Sequence, residues 1–421
     1  MTAAGSPLLA QLPFFAVYVL MPLAVLAGRL AGRPEVAWHF GPQGLALWLF
    51  LAGLALFVCL GQDSMARRRQ ARSLWTSLAL AVALAASIAL GLRLAGPALS
   101  QALALAPLLD ELRLPALILF AAVWTWSFGS PGREDLARPG AILGAFLVLD
   151  FLLTAIMARQ VVLGGGYLLG GGLAVSDALA FLLCIALSAT LDRPASPPEP
   201  ASPGAHTGSL SRWLILAGLF ATFSRSGLAA AGCLILFLER GPLRERVALC
   251  CACALGIWMS LALPLAHTVP AGGGGEDLGL SWHLTALLEA LRADPGAWLR
   301  GLPLGEPVAL AMPDLGGLDW DSDSAGLAVS VFDIPSSWLR LLAGWGVLGP
   351  ALVLAGVLAC ALRGRRRFGF GLLLATLVVA ALTPALHTPA TSGVLALACA
   401  LAGKAPPAVG RSAPDAERPQ P

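Results

Sequence analysis

L-S-R-W-L-I-L-A-G-L-F-A-T-F-S-R-S-G-L-A-A-A-G-C-L-I-L-F-L, residues 210–238, is the stretch on which the fold turns. Two apolar runs, 212–223 and 226–238, meet at Ser224-Arg225-Ser226. Each falls short of the ~20 residues that a straight membrane crossing needs. One long kinked span and two short helices meeting at a break both suit the pattern. The choice sets the orientation of everything downstream, so the neighbouring loops have to decide it.

Further apolar runs lie upstream at 13–28, 44–61, 74–92, 114–129, 140–157 and 167–190. Downstream they lie at 246–266, 337–362, 369–385 and 390–403. Basic residues sort the connecting loops. One set carries Arg67, Arg68, Arg69 and Arg72, Arg133 and Arg138, Arg193 and Arg212, Arg240, Arg244 and Arg246, and Arg363 with Arg365 to Arg367. The tail with Lys404, Arg411 and Arg418 falls on the same side. The opposite set is sparser and includes Arg93, Arg113, Arg225, Arg292, Arg300 and Arg340. Positive charge stays in the cytoplasm. About twelve crossings then alternate without conflict, with both termini cytoplasmic, and 212–223 and 226–238 read as separate helices.

Composition agrees. Of 421 residues, 57% are hydrophobic and 12% charged, against roughly 25% charged in a soluble domain. Mean hydropathy is +0.79. So much apolar surface needs lipid as solvent. A net charge of +3 gives no footprint for nucleic acid. The eight cysteines all sit in or beside apolar runs and read as small buried residues, not as a disulfide framework or a metal set. The first run has no basic region before it and reads as a retained helix.

The expected architecture is all-α: a polytopic transmembrane bundle with one long structured periplasmic loop. Residues 1–191 form the N-terminal transmembrane half. Residues 192–211, D-R-P-A-S-P-P-E-P-A-S-P-G and its sequel, form a Pro/Ser-rich cytoplasmic linker. Residues 212–403 form the second half, including the loop 267–335. Residues 404–421 form a disordered cytoplasmic tail. The loop holds ten acids, from Glu276 to Asp333, and only Arg292 and Arg300 as bases. Its segment S-W-H-L-T-A-L-L-E-A-L-R, 281–292, has helical periodicity. The run D-W-D-S-D at 319–323 lacks the glycine and closing glutamate of a calcium loop, so it reads as a solvated acidic face.

Arg225 is the first candidate for chemistry. An arginine between apolar runs is costly unless paired or hydrated, and such residues mark function. Its planar fork of donors matches phosphate oxygens. Ser224 and Ser226 suit a helix cap that leaves backbone N–H groups for an anion. The plainer reading is an arginine snorkelling from a helix end. At 334–350, I-P-S-S-W-L-R-L-L-A-G-W-G-V-L-G-P leads from the loop into a helix. There Ser336 or Ser337 caps, Trp338 suits the interface belt, and Arg340 lies one turn inside. His283 on the loop helix and Arg300 before G-L-P-L-G are further candidates, with a structural role as the alternative for His283. His267 and His387 stand at helix ends with no partner legible in sequence. No paired helical histidines, nucleophile elbow or dinucleotide fingerprint occurs.

Together these pieces resemble the O-antigen ligase and O-antigen polymerase superfamily of bacterial envelope enzymes. T-F-S-R-S-G-L-A-A-A at 222–231 is similar to that family's Thr-x-Ser-Arg break before a small-residue helix. W-H-L-T-A-L-L-E-A-L-R-A-D-P-G-A-W-L-R-G-L-P-L-G resembles its loop helix and following turn. P-S-S-W-L-R-L-L-A-G-W-G-V-L-G at 335–349 resembles its His-Asn-x-Tyr-Leu segment entering a helix. The resemblance covers roughly residues 210–400. It implies metal-independent, cofactor-free glycosyl transfer at the periplasmic face of the inner membrane. The donor would be an undecaprenyl diphosphate-linked glycan. The acceptor would be another glycan, with other polysaccharide assembly proteins as partners. Under it Arg225 binds the diphosphate with Ser224 and Ser226, while Arg300 or Arg340 adds a second cation beside Ser336 and Trp338. The chain departs from the pattern at Pro335 and Ser336, where the family has His-Asn. That puts Asp333, alongside His283, forward as the group that handles the acceptor proton. The departure favours polymerase over ligase. A lipid-linked oligosaccharide flippase and a non-catalytic member of a glycan assembly complex are the alternatives.

Overall fold

A computed structural model describes residues 7–31, 42–60, 78–85, 105–158, 173–191, 204–262, 280–302, 334–363 and 366–403. Among these residues the fold is helical throughout, with no strand. In chain order the helices are α1 (Pro7–Phe15), α2 (Met21–Leu30), α3 (Pro42–Leu60), α4 (78–85), α5 (Leu105–Phe128), α6 (Glu134–Ala158), α7 (Leu173–Leu191), α8 (Gly204–Thr222), α9 (Arg225–Leu238) and α10 (Leu243–Ala262). After these come α11 (Leu280–Ala293), α12 (Ala297–Arg300), α13 (Ser337–Trp345), α14 (Leu348–Arg363), α15 (Arg366–Leu382), a 3-10 turn (Ala385–His387) and α16 (Pro389–Ala402).

Four segments among the described residues are long and apolar enough to cross a membrane: Leu8–Ala27, Glu111–Phe128, Glu134–Leu153 and Leu243–Ala262. Shorter apolar helices make up most of the remaining bundle. Large apolar side chains stay on the outside. On α10 these are Leu243, Val247, Leu255, Trp258 and Leu261. An apolar face of that extent on a soluble protein would be an interaction or aggregation surface. On an apolar helix it is compatible with contact to lipid.

The first apolar run is longer than its hydrophobic core suggests. It spans α1 and α2, joined through a π-helical turn at Ala16–Leu20, two residues before Pro22. Pro22 has no N–H for the helical ladder, and such wide turns form where the ladder is interrupted. Tyr18, buried in that turn, donates to the Leu182 carbonyl of α7 at 2.7 Å.

Helix α7 is the hub. Leu182, Leu183, Cys184, Ile185, Ala186 and Leu187 are all buried in succession, so it is enclosed on every side rather than along one stripe. It packs on α6, α8, α9, α15 and α16. Helices from both sides of 192–211 share one core around α7. The helix after that segment begins sooner than the sequence reading had it, at Gly204 directly after Pro203. A proline just ahead of a helix loses nothing by lacking an N–H. The run 337–362 likewise proves to be two helices, α13 and α14. Gly346 at φ +63° ends the first, and a left-handed residue cannot continue a right-handed helix. Not every cysteine is buried either: Cys184 and Cys253 are, but Cys251 is exposed on α10.

Small residues bring the helices together. A Cβ on Gly144 of α6 would land on the Leu214 carbonyl of α8, and one on Gly218 would land on Gly144 itself. Gly227 of α9 meets Ala180 of α7, Gly369 of α15 meets Ala361 of α14, and Gly393 of α16 lies under Trp48 of α3. Between helices in lipid, attraction comes from close van der Waals contact, which small residues permit. Gly144→Val should therefore force α6 and α8 apart and cost about 1–3 kcal/mol. A lowered thermal midpoint of the detergent-solubilised protein is the expected readout, and an unchanged midpoint would refute the crossing.

Candidate functional site

Two polar clusters lie within this apolar bundle. The first is built on the break at 222–226. Helix α8 ends as the Thr222 hydroxyl donates to the Leu219 carbonyl at 2.7 Å. Phe223 then takes φ +49°, a left-handed conformation that costs a non-glycine residue about 1–2 kcal/mol. Ser224 returns to extended backbone and caps α9, its Oγ accepting from Gly227 N at 3.0 Å. The two short helices of the sequence reading are thus distinct elements with a capped start between them.

The break turns most of its polar groups inward. Ser224 Oγ donates to Asp177 Oδ1 of α7, and Ser226 Oγ donates to the same oxygen at 3.0 Å. All three residues are buried. The negative group at the start of α9 is therefore the protein's own carboxylate, which also suits the positive end of the helix dipole. Ser224 and Ser226, expected to face a phosphate, face Asp177 instead. Arg225 alone points outward. It is exposed, with Nε donating to Ser260 Oγ at 3.2 Å and Nη2 donating to the Ser260 carbonyl at 2.8 Å. Ser260 lies at the end of α10, so the guanidinium bridges the ends of two helices. Its Nη1 makes no hydrogen bond among the described residues.

The second cluster is centred on Glu111, a residue that sequence reading placed outside the apolar run at 114–129. It sits inside α5 and is 1% exposed. Its Oε1 accepts from Arg340 Nε at 3.0 Å and Nη2 at 2.8 Å. Its Oε2 accepts from Trp345 Nε1 at 2.8 Å. His387 Nε2 lies 3.7 Å from the same Oε2. Arg340, expected as an outward second cation, is thus buried and committed to Glu111. The missed signal was Arg340 itself: a guanidinium one turn into an apolar helix demands an acid, and the Asp110-Glu111 pair was available.

The other expected residues divide. Ser336 caps α13, accepting from Leu339 N at 3.4 Å and donating to the Ala380 carbonyl at 3.3 Å. Ser337 donates to the Thr383 carbonyl at 2.7 Å and accepts from Leu386 N at 3.0 Å. These bonds tie the start of α13 to the 3-10 turn. Trp338 is half-buried and donates to the Leu377 carbonyl at 3.3 Å. His283 is buried on α11, with 8% exposure. Arg300 on α12 is partly buried in an ion pair with Asp294. Asp333 lies outside the described residues.

Helices α12 and α13 join through a backbone seam. Val347 N donates to the Trp298 carbonyl at 2.7 Å, and Leu302 N donates to the Ala343 carbonyl. Gly301 at φ +85° and Gly346 at φ +63° make the approach possible, because a Cβ on either would strike backbone across the seam.

With these sites defined, comparison adds no relative: no protein-family model, curated protein or solved structure matches this chain.

Removing Glu111 should be costly because it strands a buried guanidinium. Glu111→Leu is expected to lose about 3–5 kcal/mol, whereas the double variant Glu111→Leu/Arg340→Met should recover most of it. Thermal unfolding of the solubilised proteins measures both. Additive losses in the double variant would show that the pair does not act as a unit.

Proposed function

We propose that the chain is a bacterial envelope polysaccharide polymerase of about twelve spans at the inner membrane, with Arg225 holding the diphosphate of a lipid-linked glycan. The observation that carries this reading is the outward guanidinium at the capped break, anchored through Nε and Nη2 to Ser260 with Nη1 remaining. The order of the three family-like segments supports it. The attachment of the loop helix α12 to α13 through two backbone bonds is consistent with a loop held against the bundle.

The reaction matches what such a site supplies. The acceptor hydroxyl oxygen bonds to the donor's anomeric carbon, the bond from that carbon to the phosphate oxygen breaks, and the diphosphate leaves with the lipid. A base takes the hydroxyl proton. Asp333 is the group proposed for that role, with His283 as the other candidate. The leaving group is already stabilised, so positioning and charge neutralisation supply most of the catalysis. Arg225 provides that charge without a metal. Arg300, with its Asp294 partner, is the remaining loop cation.

The flippase reading gains from one observation. Buried carboxylates at Glu111, Asp150 and Asp177 are the kind of group transporters place within the membrane. One experiment separates the two. Arg225→Ala should abolish chain extension while membrane insertion persists, and single lipid-linked repeats should accumulate on the periplasmic face. Accumulation on the cytoplasmic face would favour the flippase. Polymer of normal length would remove the role of Arg225 altogether.

A further inference from the structure

One carboxylate oxygen in the second cluster has two claimants. Glu111 Oε2 accepts from Trp345 Nε1 at 2.8 Å, while His387 Nε2 stands 3.7 Å away. Both imidazole nitrogens of His387 are buried and hydrogen-bond to nothing among the described residues, and the residue is only 8% exposed. A buried polar group without a partner costs free energy, so this imidazole is kept in an unsatisfied state one short movement from an acid. Glu111 Oε1 is meanwhile occupied by Arg340.

We propose that His387 is a proton-operated switch on the seam between the external loop and α13, in which the imidazolium closes the 3.7 Å gap to Glu111 Oε2, draws that oxygen away from Trp345 and releases the last turn of α13. The uncharged indole N–H is the weaker donor. An imidazolium donating to a carboxylate makes a charge-assisted bond, roughly twice as strong as a neutral one. Trp345 is the final residue of α13 and precedes Gly346. The seam bonds lie on either side of it, at the Ala343 carbonyl and Val347 N. Loosening Trp345 therefore reaches the attachment of α12 within two residues in each direction.

The surroundings fix the direction of the response. The 3-10 turn that carries His387 packs on α5, α7, α13, α15 and α16. Helix α5 contributes Glu111 and Arg113, and α13 contributes Arg340. The carboxylate of α7 is Asp177, which is engaged by Ser224 and Ser226. Helix α15 is followed by Thr383, and the first turn of α16 carries Thr391 and Ser392, none of them titrating near neutrality. Burial holds the imidazole well below its usual value, and the Arg340 and Arg113 guanidiniums push the same way. His387 is therefore uncharged at neutral pH. The unfolded chain would take up a proton near ~6.5, so stability falls as pH drops below that value, and the switch operates in the acid range beneath it.

The test is amide hydrogen exchange of the full chain in detergent micelles, from about pH 7.5 to about pH 4.5. The amides read are Leu302 and Val347, expressed as protection relative to the intrinsic rate at each pH. Wild type should lose about tenfold protection or more on acidification and regain it on return. His387→Gln should stay at the neutral level throughout. Trp345→Phe, which lacks the contested donor, should sit at the acid level at every pH. A wild-type response that is absent, or is shared in full by His387→Gln, overturns the switch. If His387→Gln fails to give a helical, monodisperse protein, Trp345→Phe decides: a retained wild-type pH response rejects the proposal. The readout is protection, not polymer, so it is independent of whether Arg225 binds a diphosphate.

Discussion

The carboxylate of Glu111 is the constraint around which one end of the bundle is arranged. An acid with 1% exposure inside an apolar helix is untenable unless its charge is answered and its oxygens are filled. Every direct hydrogen bond to it described above comes from α13, through Arg340 and Trp345. That requirement fixes α13 against α5 in both height and rotation. The remaining connections follow from that placement. The start of α13 is tied to the 3-10 turn through Ser337. Its end carries the loop helix α12 through two backbone bonds. A single buried charge thus determines where α12 attaches to the rest of the bundle.

The break at 222–226 solves a similar problem differently. Asp177 Oδ1 accepts from two hydroxyls at the start of α9, and Ser224 also caps that helix. The inward polar groups are neutral donors, and the charged one, Arg225, faces out. In the second cluster the arrangement is reversed, with Arg340 inside. The two arginines that sequence treats alike, each near a helix start beside serines, therefore have opposite roles. Their partners differ: Asp177 Oδ1 accepts from two hydroxyls, whereas Glu111 takes a guanidinium and an indole.

Much of the helix order was legible in the amino-acid sequence, because long apolar runs bounded by charged loops leave few alternatives. The two helices α8 and α9 answer to the two apolar runs on either side of Ser224-Arg225-Ser226. What escaped were features that depend on non-local contact. Glu111 looked like the end of a polar loop, since nothing within its own segment reveals Arg340 more than two hundred residues later. His387 appeared isolated for the same reason. The division of 337–362 was missed because an apolar run containing glycine reads as continuous, while the left-handed turn at Gly346 arises from the approach of Leu299. Ser224 and Ser226 were rightly seen as capping candidates, but which way their hydroxyls point is decided by Asp177 on another helix.

The enclosure of α7 bears on how the molecule is assembled. Its neighbours α8, α9, α15 and α16 all come later in the chain. Helices insert into a bilayer first and associate afterwards. When synthesis has reached residue 191, α7 has only α6 and the segments before it as company. In a membrane-inserted chain its other sides, core in the finished protein, would then face acyl chains. Asp177 spends that interval without Ser224 and Ser226, and the helix must be apolar enough to tolerate lipid until they arrive. Its near-unbroken hydrophobicity on all sides suits that route of assembly as well as the packed state.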